Sequence, residues 1–396
     1  MNVLICCNQI PYPLKDGYSN ACLNLAKSLK YNECNIDIFA YNTTKKRVDL
    51  NTIPDSLKKD FNWHTPELDN KLNIWDAFLC LIKNQSYHVS RFDVAHLKKD
   101  LSILLRSKDY HIIQMEGLYL SPLIETCRKH SKAKLILRAH NIEHVIWKRL
   151  INNEKNFFKK IYLNILVKQL KAYELNVLNK IDAILPISQI DLDFFKLNSF
   201  ETPITYIPFG IEIEENTQNA SNLDFFFIGS LDWQPNLEGL VWFLDNVWAK
   251  FKKMHPNTVF KIAGKNTPEK LYKYQDEQTI ILGEVENAHS FIEENGTMVV
   301  PLFSGSGIRV KIIEGMAQRK CILSTPIGAE GLYEINDDHI LIASNIEDFI
   351  IKMESLISKP EIIAHIGNKA YEYVLKNHDL LKTGKQLKNF YESITA

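Results

Sequence analysis

The sequence predicts an α/β fold made of two doubly wound, parallel-sheet domains. A chain of 396 residues, 45% of them hydrophobic, exceeds the size at which one core usually stays single, so two domains are the default. Its short apolar runs are mostly continuous and rich in β-branched residues, which is typical of strands buried on both faces of a parallel sheet. Longer helical patterns separate these runs, and the alternation occurs twice along the chain.

The first domain is predicted to span residues 1–208. Val3–Cys7 is short and lacks a preceding basic residue, which indicates a first strand and not a signal peptide. Ser19–Leu29 has the periodicity of a helix. The further predicted strands are Ile36–Tyr41, His111–Met115, Lys134–Ala139, Ile181–Ile187 and Thr205–Ile207.

The second domain is predicted at residues 209–377, with the boundary near Pro208–Gly210 or in the polar stretch Glu212–Asn222. A further helix at 378–396, periodic from His378 to Ser393, lies beyond it. The predicted strands are Asp224–Ile228, Val259–Ala263, Thr279–Leu282, Met298–Leu302, Cys321–Ser324 and His339–Ile342. The predicted helices are Leu237–Lys253, Val310–Gln318 and Glu347–Ile357.

The stretch Phe303–Ala317 joins a strand-like run to a helix pattern and is built to hold an anion. Gly305 and Gly307 allow a tight turn whose N–H groups converge at a helix N-terminus, where the helix dipole also favours negative charge. The alternative is an ordinary Gly/Ser loop before a solvated basic helix.

Charged residues follow this loop at helical spacing. Arg309 and Lys311 add two positive charges, and Glu314 lies nearly one turn further on, able to accept hydrogen bonds from a ribose. A phosphate with an attached sugar fits this pattern.

Composition excludes several other classes of protein. Lys plus Arg and Asp plus Glu both number 47, so no global field favours nucleic acid. The seven cysteines are scattered without zinc-ligand spacing, and a reducing cytoplasm is the simplest location for them. No run of apolar residues is long enough to span a membrane.

An ordered series of segments then carries a family resemblance. The segments are Pro11–Pro13, Asp16–Gly17, Arg138–His144, Pro186–Ser188, Phe227–Asn236, Ile262–Gly264, Gly283–Val285, Pro301–Ala317 and Thr325–Gly331. In these the chain resembles the retaining, nucleotide-sugar-dependent glycosyltransferases of family 4. That resemblance implies the GT-B fold, two Rossmann-like domains facing a cleft, in the branch that builds bacterial surface polysaccharides. It also implies that the first domain lies on the acceptor side and that the C-terminal helix at 378–396 crosses back to it.

The resemblance implies a donor site in the second domain. Glu314 matches the second glutamate of a spaced pair that holds the nucleotide ribose, whereas Ser306 stands near the place of the first. We expect Glu330 to replace that missing carboxylate in part. The implied donor-binding residues are Gly17, Gly229, Gly264, Gly283, Val285, Ser304, Gly305, Ser306, Gly307, Glu314 and Glu330.

A second departure concerns the cations that face the diphosphate. Family members often place an Arg and a Lys after the first strand of this domain, where the present chain has Ser230 and Asn236. Arg309 and Lys311 are the available substitutes, and a bidentate Arg makes the stronger contact.

His140 matches the family histidine after the fourth strand of the first domain. The resemblance implies that it bonds the sugar or diphosphate or steadies the acceptor, so that His140, Arg309 and Lys311 form the expected catalytic group. A capping or core histidine is the alternative. The leaving diphosphate would accept the acceptor's proton, so no glycosidase-like pair of carboxylates is expected. Two cationic side chains and a helix terminus can neutralise a diphosphate, and the sequence shows no convincing carboxylate cluster, so no metal is expected.

Asp191 and Asp193 resemble a metal-binding DxD motif, but their position at a predicted helix start favours a role with the helix dipole. The segment Val145–Lys180 carries eight Lys or Arg against Glu154 and Glu174, together with an apolar stripe at helical spacing. A basic amphipathic helix of this kind lies on anionic lipid or packs on its own domain, and both readings stay open.

The sequence therefore predicts a retaining, metal-independent glycosyltransferase of hexosyl type in the cytoplasm, with contact to the inner face of the membrane as an open alternative. Its expected partners are a nucleotide diphosphate sugar and a glycan or lipid-linked glycan acceptor, without a cofactor or nucleic acid. Closure of two domains would complete the site. A non-hydrolysing sugar-nucleotide 2-epimerase and a catalytically degenerate sugar-nucleotide-binding subunit remain as alternatives.

Overall fold

A computed structural model describes residues 1–14, 16–71, 73–83, 85–152, 156–198, 201–214, 222–304 and 308–396. The chain divides into two compact units. Unit 1 comprises Met1–Gly210 together with Leu380–Ala396, and unit 2 comprises Ile211–Asp379. The sequence places the boundary two residues earlier, after residue 208.

Unit 1 is built on a parallel sheet with the strand order β4-β2-β1-β6-β7-β8, and β3 pairs with β5 beside it. The strands are β1 Asn2–Cys7, β2 Asn35–Ala40, β3 Asn42–Thr43, β4 Asn62–His64, β5 Glu67–Leu68, β6 Ile112–Glu116, β7 Lys134–Ala139 and β8 Ala183–Pro186. Leu4 and Cys6 pack into one apolar core, and Val3 and Ile5 pack into another on the opposite face. Burial on both faces explains why β1 is continuously apolar.

Helices cover both faces of this sheet. They are α1 Gly17–Tyr31, α2 Asp55–Asp60, α3 Ile74–Ile82, α4 Tyr87–Ser90, α5 Ala95–Ser107, α6 Ile124–His130, α7 Glu143–Asn152, α8 Phe157–Leu178 and α9 Gln189–Asn198, with 3-10 turns at Leu50–Thr52 and Leu118–Leu123. Helix α1 starts after Asp16, whose carboxylate accepts a hydrogen bond from the Ser19 N–H at 2.8 Å. This cap satisfies one of the N–H groups that a helix start leaves open.

Two predictions for unit 1 need correction. Thr205–Ile207 is not a strand, because only Ile204 forms a bridge, to Ile184. The strand Asn62–His64 was not predicted, since three residues are too few to show a periodic pattern.

Unit 2 repeats the parallel architecture with the order β11-β10-β9-β12-β13-β14. Its strands are β9 Phe225–Ile228, β10 Phe260–Ala263, β11 Thr279–Gly283, β12 Thr297–Val300, β13 Ile322–Ser324 and β14 Leu341–Ile342. Phe225 and Phe227 enter the large core cluster, whereas Phe226 packs on Phe291 with ring centroids 5.6 Å apart. The predicted α/β fold with two doubly wound parallel sheets is therefore confirmed.

The helices of unit 2 are α10 Gln234–Phe243, α11 Ala249–Met254, α12 Ala288–Glu294, α13 Val310–Ala317, α14 Ile346–Ser358 and α15 Glu361–Asn377, with a 3-10 turn at Glu269–Tyr274. A π turn at Leu244–Trp248 joins α10 to α11, so the single helix predicted at Leu237–Lys253 changes its winding in the middle. Pro235 lies in the first turn of α10, where a backbone N–H would have no carbonyl partner within the helix, so a residue without an N–H is well tolerated there.

The helix α16, Leu380–Thr395, follows unit 2 in sequence but packs against α1 of unit 1. A side-chain carbon at Gly384 would lie 2.3 Å from the carbonyl oxygen of Ser28, so only glycine permits this close approach. Leu387 and Tyr391 are buried in the core of unit 1. Among the described residues, no helix has both the length and the hydropathy needed to cross a bilayer.

Candidate functional site

In unit 2, several predicted site residues lie where parallel strands end. Gly229, Gly264 and Ser304 follow β9, β10 and β12, Gly283 is the last residue of β11, and Glu330 follows β13. Because carboxyl ends of parallel strands share one edge, these residues line the same edge of the sheet, where open α/β sheets bind ligands.

Lys311 is directed to this edge from helix α13. Its amino group donates to the carbonyl oxygen of Ile228 at 3.2 Å and to Oδ1 of Asn236 at 3.1 Å. It also lies over the Phe227 ring, 4.5 Å from the centroid. The amide of Asn236 donates in turn to the Ser230 carbonyl oxygen at 2.9 Å. Asn236 and Ser230, which stand in place of the expected Lys and Arg, thus form a chain of hydrogen bonds that ends on Lys311 of helix α13.

The glycines at this edge bring backbone close to backbone. A side-chain carbon at Gly264 would lie 2.2 Å from the carbonyl oxygen of Gly229, which leaves no room for any other residue. At Gly229 the same carbon would meet the Asn236 amide at 3.0 Å and the Lys311 amine at 3.2 Å. Gly283 has φ of +69°, a left-handed conformation that favours glycine.

Two ionisable groups of α13 have pKa values shifted to near pH 7. Burial lowers the pKa of Lys311 to about 7, and repulsion from Arg309 adds to this shift. Burial raises the pKa of Glu314 to about 7. A bound diphosphate would reverse the first shift, because a nearby negative charge favours the charged amine.

Arg309 is the N-cap residue of α13, and its guanidinium donates to the Ile327 carbonyl oxygen at 3.4 Å. Ile327 also accepts the Glu330 N–H at 3.3 Å, so Arg309 and the Glu330 turn share one anchor. Val285 and Ser304 are partly exposed. The predicted contacts of Gly305, Ser306 and Gly307 lie outside the described residues.

In unit 1, His140 follows β7 and meets a buried carboxylate at the end of β6. Its Nε2 lies 2.6 Å from Oε2 of Glu116, which is fully buried, whereas 11% of the His140 side chain is exposed. Arg138 lies 3.4 Å and the Cys22 thiol 3.5 Å from the same oxygen, and Gln114 donates to the other oxygen. His140 is therefore fixed at one nitrogen and accessible in part.

The electrostatics make this arrangement an ion pair near neutral pH. Burial alone would raise the pKa of Glu116, but Arg138 and His140 outweigh it and lower that pKa. Burial alone would lower the pKa of His140, but hydrogen bonds to Cys22 and Glu116 raise it to about 9. A protonated His140 can donate a hydrogen bond to an anionic or hydroxyl group.

The ligand atoms of Cys22, Glu116 and His140 lie within 4.8 Å of one another, a spacing that a metal ion could use. The Arg138 guanidinium on Glu116 opposes a further cation there, so the donor set fits a proton-bearing pair better. At the DxD-like motif, the Ser188 hydroxyl donates to Asp191 at 2.6 Å and accepts the Asp191 N–H at 3.1 Å. Asp191 thus takes part in a cap at the start of α9.

Gly17, the other predicted donor residue of this unit, is the exposed first residue of α1. The next residue, Tyr18, donates its hydroxyl to the Glu116 carbonyl oxygen at 3.1 Å and accepts the Asn8 N–H at 3.0 Å. Its ring centroid lies 5.0 Å from that of His140. The residue after the predicted glycine is thus a tyrosine that packs on the histidine.

Sequence reasoning missed Glu116, Cys22 and the role of Asn236. A signal existed for Glu116, because an acidic residue ends a strand that begins with apolar residues, and it pairs in register with Arg138 of β7. Cys22 looked like any apolar residue of an amphipathic helix, and its contact with Glu116 depends on tertiary packing.

Residues 222–359 match a family model described as Glycosyl transferases group 1. The matched region lies within unit 2 and contains the Lys311 cluster. A protein of Klebsiella pneumoniae, described as an uncharacterized 44.6 kDa protein in cps region, is 27% identical over 288 residues, 70% of this chain and 73% of that protein.

Solved structures share the fold over the whole chain. Sucrose-phosphate synthase from Thermosynechococcus elongatus superposes with a TM-score of 0.73 at 12% identity, covering 100% of this chain and 99% of that chain. HepE from Anabaena in complex with UDP superposes with a TM-score of 0.68 at 13% identity, and the match covers 99% of this chain and 100% of that chain. A TarM variant from S. aureus was solved in complex with fondaparinux, alpha-GlcNAc-glycerol and UDP. It superposes with a TM-score of 0.69 at 13% identity, and the match covers 99% of this chain and 100% of that chain. The protein has the GT-B fold.

Proposed function

We propose that this protein transfers a sugar from a nucleotide diphosphate sugar to a glycan or lipid-linked glycan acceptor, with retention of the anomeric configuration. The observation that carries the proposal is the match of residues 222–359 to the glycosyl transferase model, around a cationic cluster at the carboxyl edge of a sheet. A cation among glycines at such an edge suits a diphosphate.

In this proposal, unit 2 binds the donor. Lys311 and Arg309 neutralise the diphosphate, and Glu314 accepts hydrogen bonds from the ribose hydroxyls. Gly264 lets its strand end lie against the Gly229 backbone, and Gly229 leaves room beside it for Asn236 and Lys311. Similar folds solved with UDP and with UDP-glucose support a nucleotide sugar as the donor.

Catalysis in this proposal consists mostly of positioning and charge stabilisation. The bond from the anomeric carbon to the diphosphate breaks, the acceptor oxygen bonds that carbon, and the departing diphosphate oxygen takes the acceptor's proton. Lys311 and Arg309 stabilise the leaving charge, which develops fully only as that bond breaks. His140, held protonated by Glu116, would donate a hydrogen bond to the sugar or phosphate.

The acceptor is proposed to belong to cell-surface polysaccharide synthesis. Support comes from the Klebsiella relative in a cps region and from the TarM structure that contains alpha-GlcNAc-glycerol.

The decisive experiment is a screen of UDP-, GDP- and dTDP-sugars with the full chain and glycan acceptors, measuring release of the nucleoside diphosphate. NMR of the product would give the anomeric configuration. Lys311→Met should abolish release, whereas Lys252→Met, remote in sequence and exposed in part, should not. Interconversion of the donor without transfer would favour a 2-epimerase, and donor binding without any turnover would favour a degenerate binding subunit.

A further inference from the structure

Helix α3 presents large apolar side chains to solvent. Trp75 is 76% exposed, Leu79 47% and Ile82 66%. Their spacing, one and two turns apart, places them on one side of the helix. On the other side the buried Cys80 thiol lies 3.1 Å from the Ser90 hydroxyl of α4. Helix α3 therefore packs on the protein through one face and exposes an apolar face to solvent.

The first half of helix α8 is exposed in the same way. Phe157 is 69% exposed, Phe158 81%, Ile161 47% and Ile165 42%. The second half of the same helix is buried, with Leu166 and Leu170 in its packed face. Thus the apolar stripe predicted from Val145–Lys180 packs on unit 1 only in its later turns.

The two helices contact each other close to these exposed residues. Nε2 of Gln169 in α8 donates to the carbonyl oxygen of Leu81 in α3 at 3.5 Å. Ile82 follows Leu81 directly, and Ile165 lies one turn before Gln169. We name the exposed apolar residues of the two helices the α3/α8 surface.

The charge around this surface is positive. Residues 157–173 contain Lys159, Lys160, Lys168 and Lys171 and no Asp or Glu, and α3 contributes the single acid Asp76. A second copy of the chain would bring a like charge to the surface, whereas an anionic bilayer brings the opposite one.

We propose that the α3/α8 surface docks on an anionic lipid membrane. Trp75, Phe157 and Phe158 enter the boundary between headgroups and acyl chains, where aromatic residues are favoured. The lysines bind the headgroups, each adding attraction near the surface. This proposal concerns binding alone and stands whether or not the chain transfers a sugar.

Flotation of the full chain with vesicles tests the proposal. We expect binding to vesicles of phosphatidylcholine mixed with phosphatidylglycerol, weaker binding to phosphatidylcholine alone, and release at high salt. Lys159→Gln with Lys160→Gln should weaken partitioning roughly 30-fold. The control pair Lys382→Gln with Lys385→Gln, on α16, should leave it unchanged.

The apolar contribution has its own matched pair of variants. Phe157→Ser with Phe158→Ser should abolish binding, whereas Leu197→Ser on α9, which is 77% exposed, should not. Circular dichroism establishes that each variant is folded. The proposal is overturned if the parent chain does not float with anionic vesicles, or if the phenylalanine variant floats as well as the parent. It is also overturned if light scattering without lipid shows a dimer that the same variant dissociates.

Discussion

The amino group of Lys311 lies 3.1 Å from Oδ1 of Asn236, a residue 75 positions away in the sequence. This contact places the charge of helix α13 at the end of strand β9. An amide oxygen is a suitable partner because it orients the ammonium group without neutralising it. The amide orients the Lys311 amine without offsetting its charge, and an anionic ligand would favour the protonated form of that amine.

Loss of that amide should weaken nucleotide binding. In Asn236→Leu we expect the affinity for nucleoside diphosphates to fall by about 1–2 kcal/mol, since Lys311 loses a hydrogen bond to a charged group. Calorimetry measures this directly. The control Asn246→Leu removes only a local bond to Trp242 and should bind normally. Equal affinities for the parent and Asn236→Leu would remove Asn236 from the site.

Binding of a nucleoside diphosphate at pH 8 should take up a proton. Lys311, with a pKa of about 7, is mostly neutral at that pH, and the ligand's charge raises this pKa again. Calorimetry in buffers of different ionisation enthalpy should show an uptake of up to about one proton. Lys311→Gln should abolish most of the uptake, whereas Glu314→Gln should retain it, because Glu314 is proposed to contact the ribose and not the charged diphosphate. An unchanged uptake in Lys311→Gln would contradict the assignment.

Transfer activity should survive EDTA. Two cationic side chains and the start of a helix can neutralise a diphosphate, and the Cys22, Glu116 and His140 group carries an opposing guanidinium. Activity before and after chelation is the measurement. Loss with EDTA and recovery with manganese would contradict this prediction, and Glu116→Gln would then test whether that group is the metal site.

The ion pair of His140 should stabilise the protein in a defined pH range. Its folded pKa of about 9 exceeds the ordinary value, so the stabilisation is complete below about pH 6.5 and disappears as the pH rises through 9. His140→Gln should lower the free energy of unfolding by at most about 3 kcal/mol at pH 6 and by little at pH 10. Urea denaturation at both pH values checks this. A deficit that is the same at both would show that packing, and not charge, is lost.

A chain of hydrogen bonds runs from helix α16 to His140. The Tyr391 hydroxyl donates to Gln114, Gln114 donates to Glu116, and Glu116 pairs with His140. Tyr391→Phe should therefore lower kcat with little change in KM for the donor, and shift the His140 pKa seen by NMR. The control Tyr371→Phe alters a weaker contact with the Glu214 carbonyl and should change neither. Normal kcat and an unshifted pKa would assign Tyr391 to packing alone.

Much of the fold could be predicted because its strands are buried on both faces. Lys134–Ala139 was predicted at its observed bounds, since its apolar residues are continuous. Thr205–Ile207 was wrong as a strand: the Thr205 and Ile207 N–H groups donate to Ile184 and Pro186 of β8, but only Ile204 forms a bridge and no continuous ladder follows. Local pattern identifies a candidate strand, but only tertiary structure supplies its partner.

The same limit applies to the site. The glycines at strand ends could be predicted, because parallel topology alone brings them to one edge. The pairs Lys311 with Asn236 and His140 with Glu116 could not, because each joins residues from different elements. The sequence pointed to Lys311 and His140. It showed Asn236 only as a departure from the family pattern, and it gave no role to Glu116.

The position of helix α16 has a consequence for synthesis on the ribosome. Leu387 and Tyr391 complete the core of unit 1, yet all of unit 2 is translated between them and the rest of that core. Domains that are contiguous can fold one after another as the chain emerges. Here the core of unit 1 stays incomplete, with the apolar surface that α16 covers exposed, until residues 380–396 have been translated. Unit 2 is thus the part of the protein that can finish folding first.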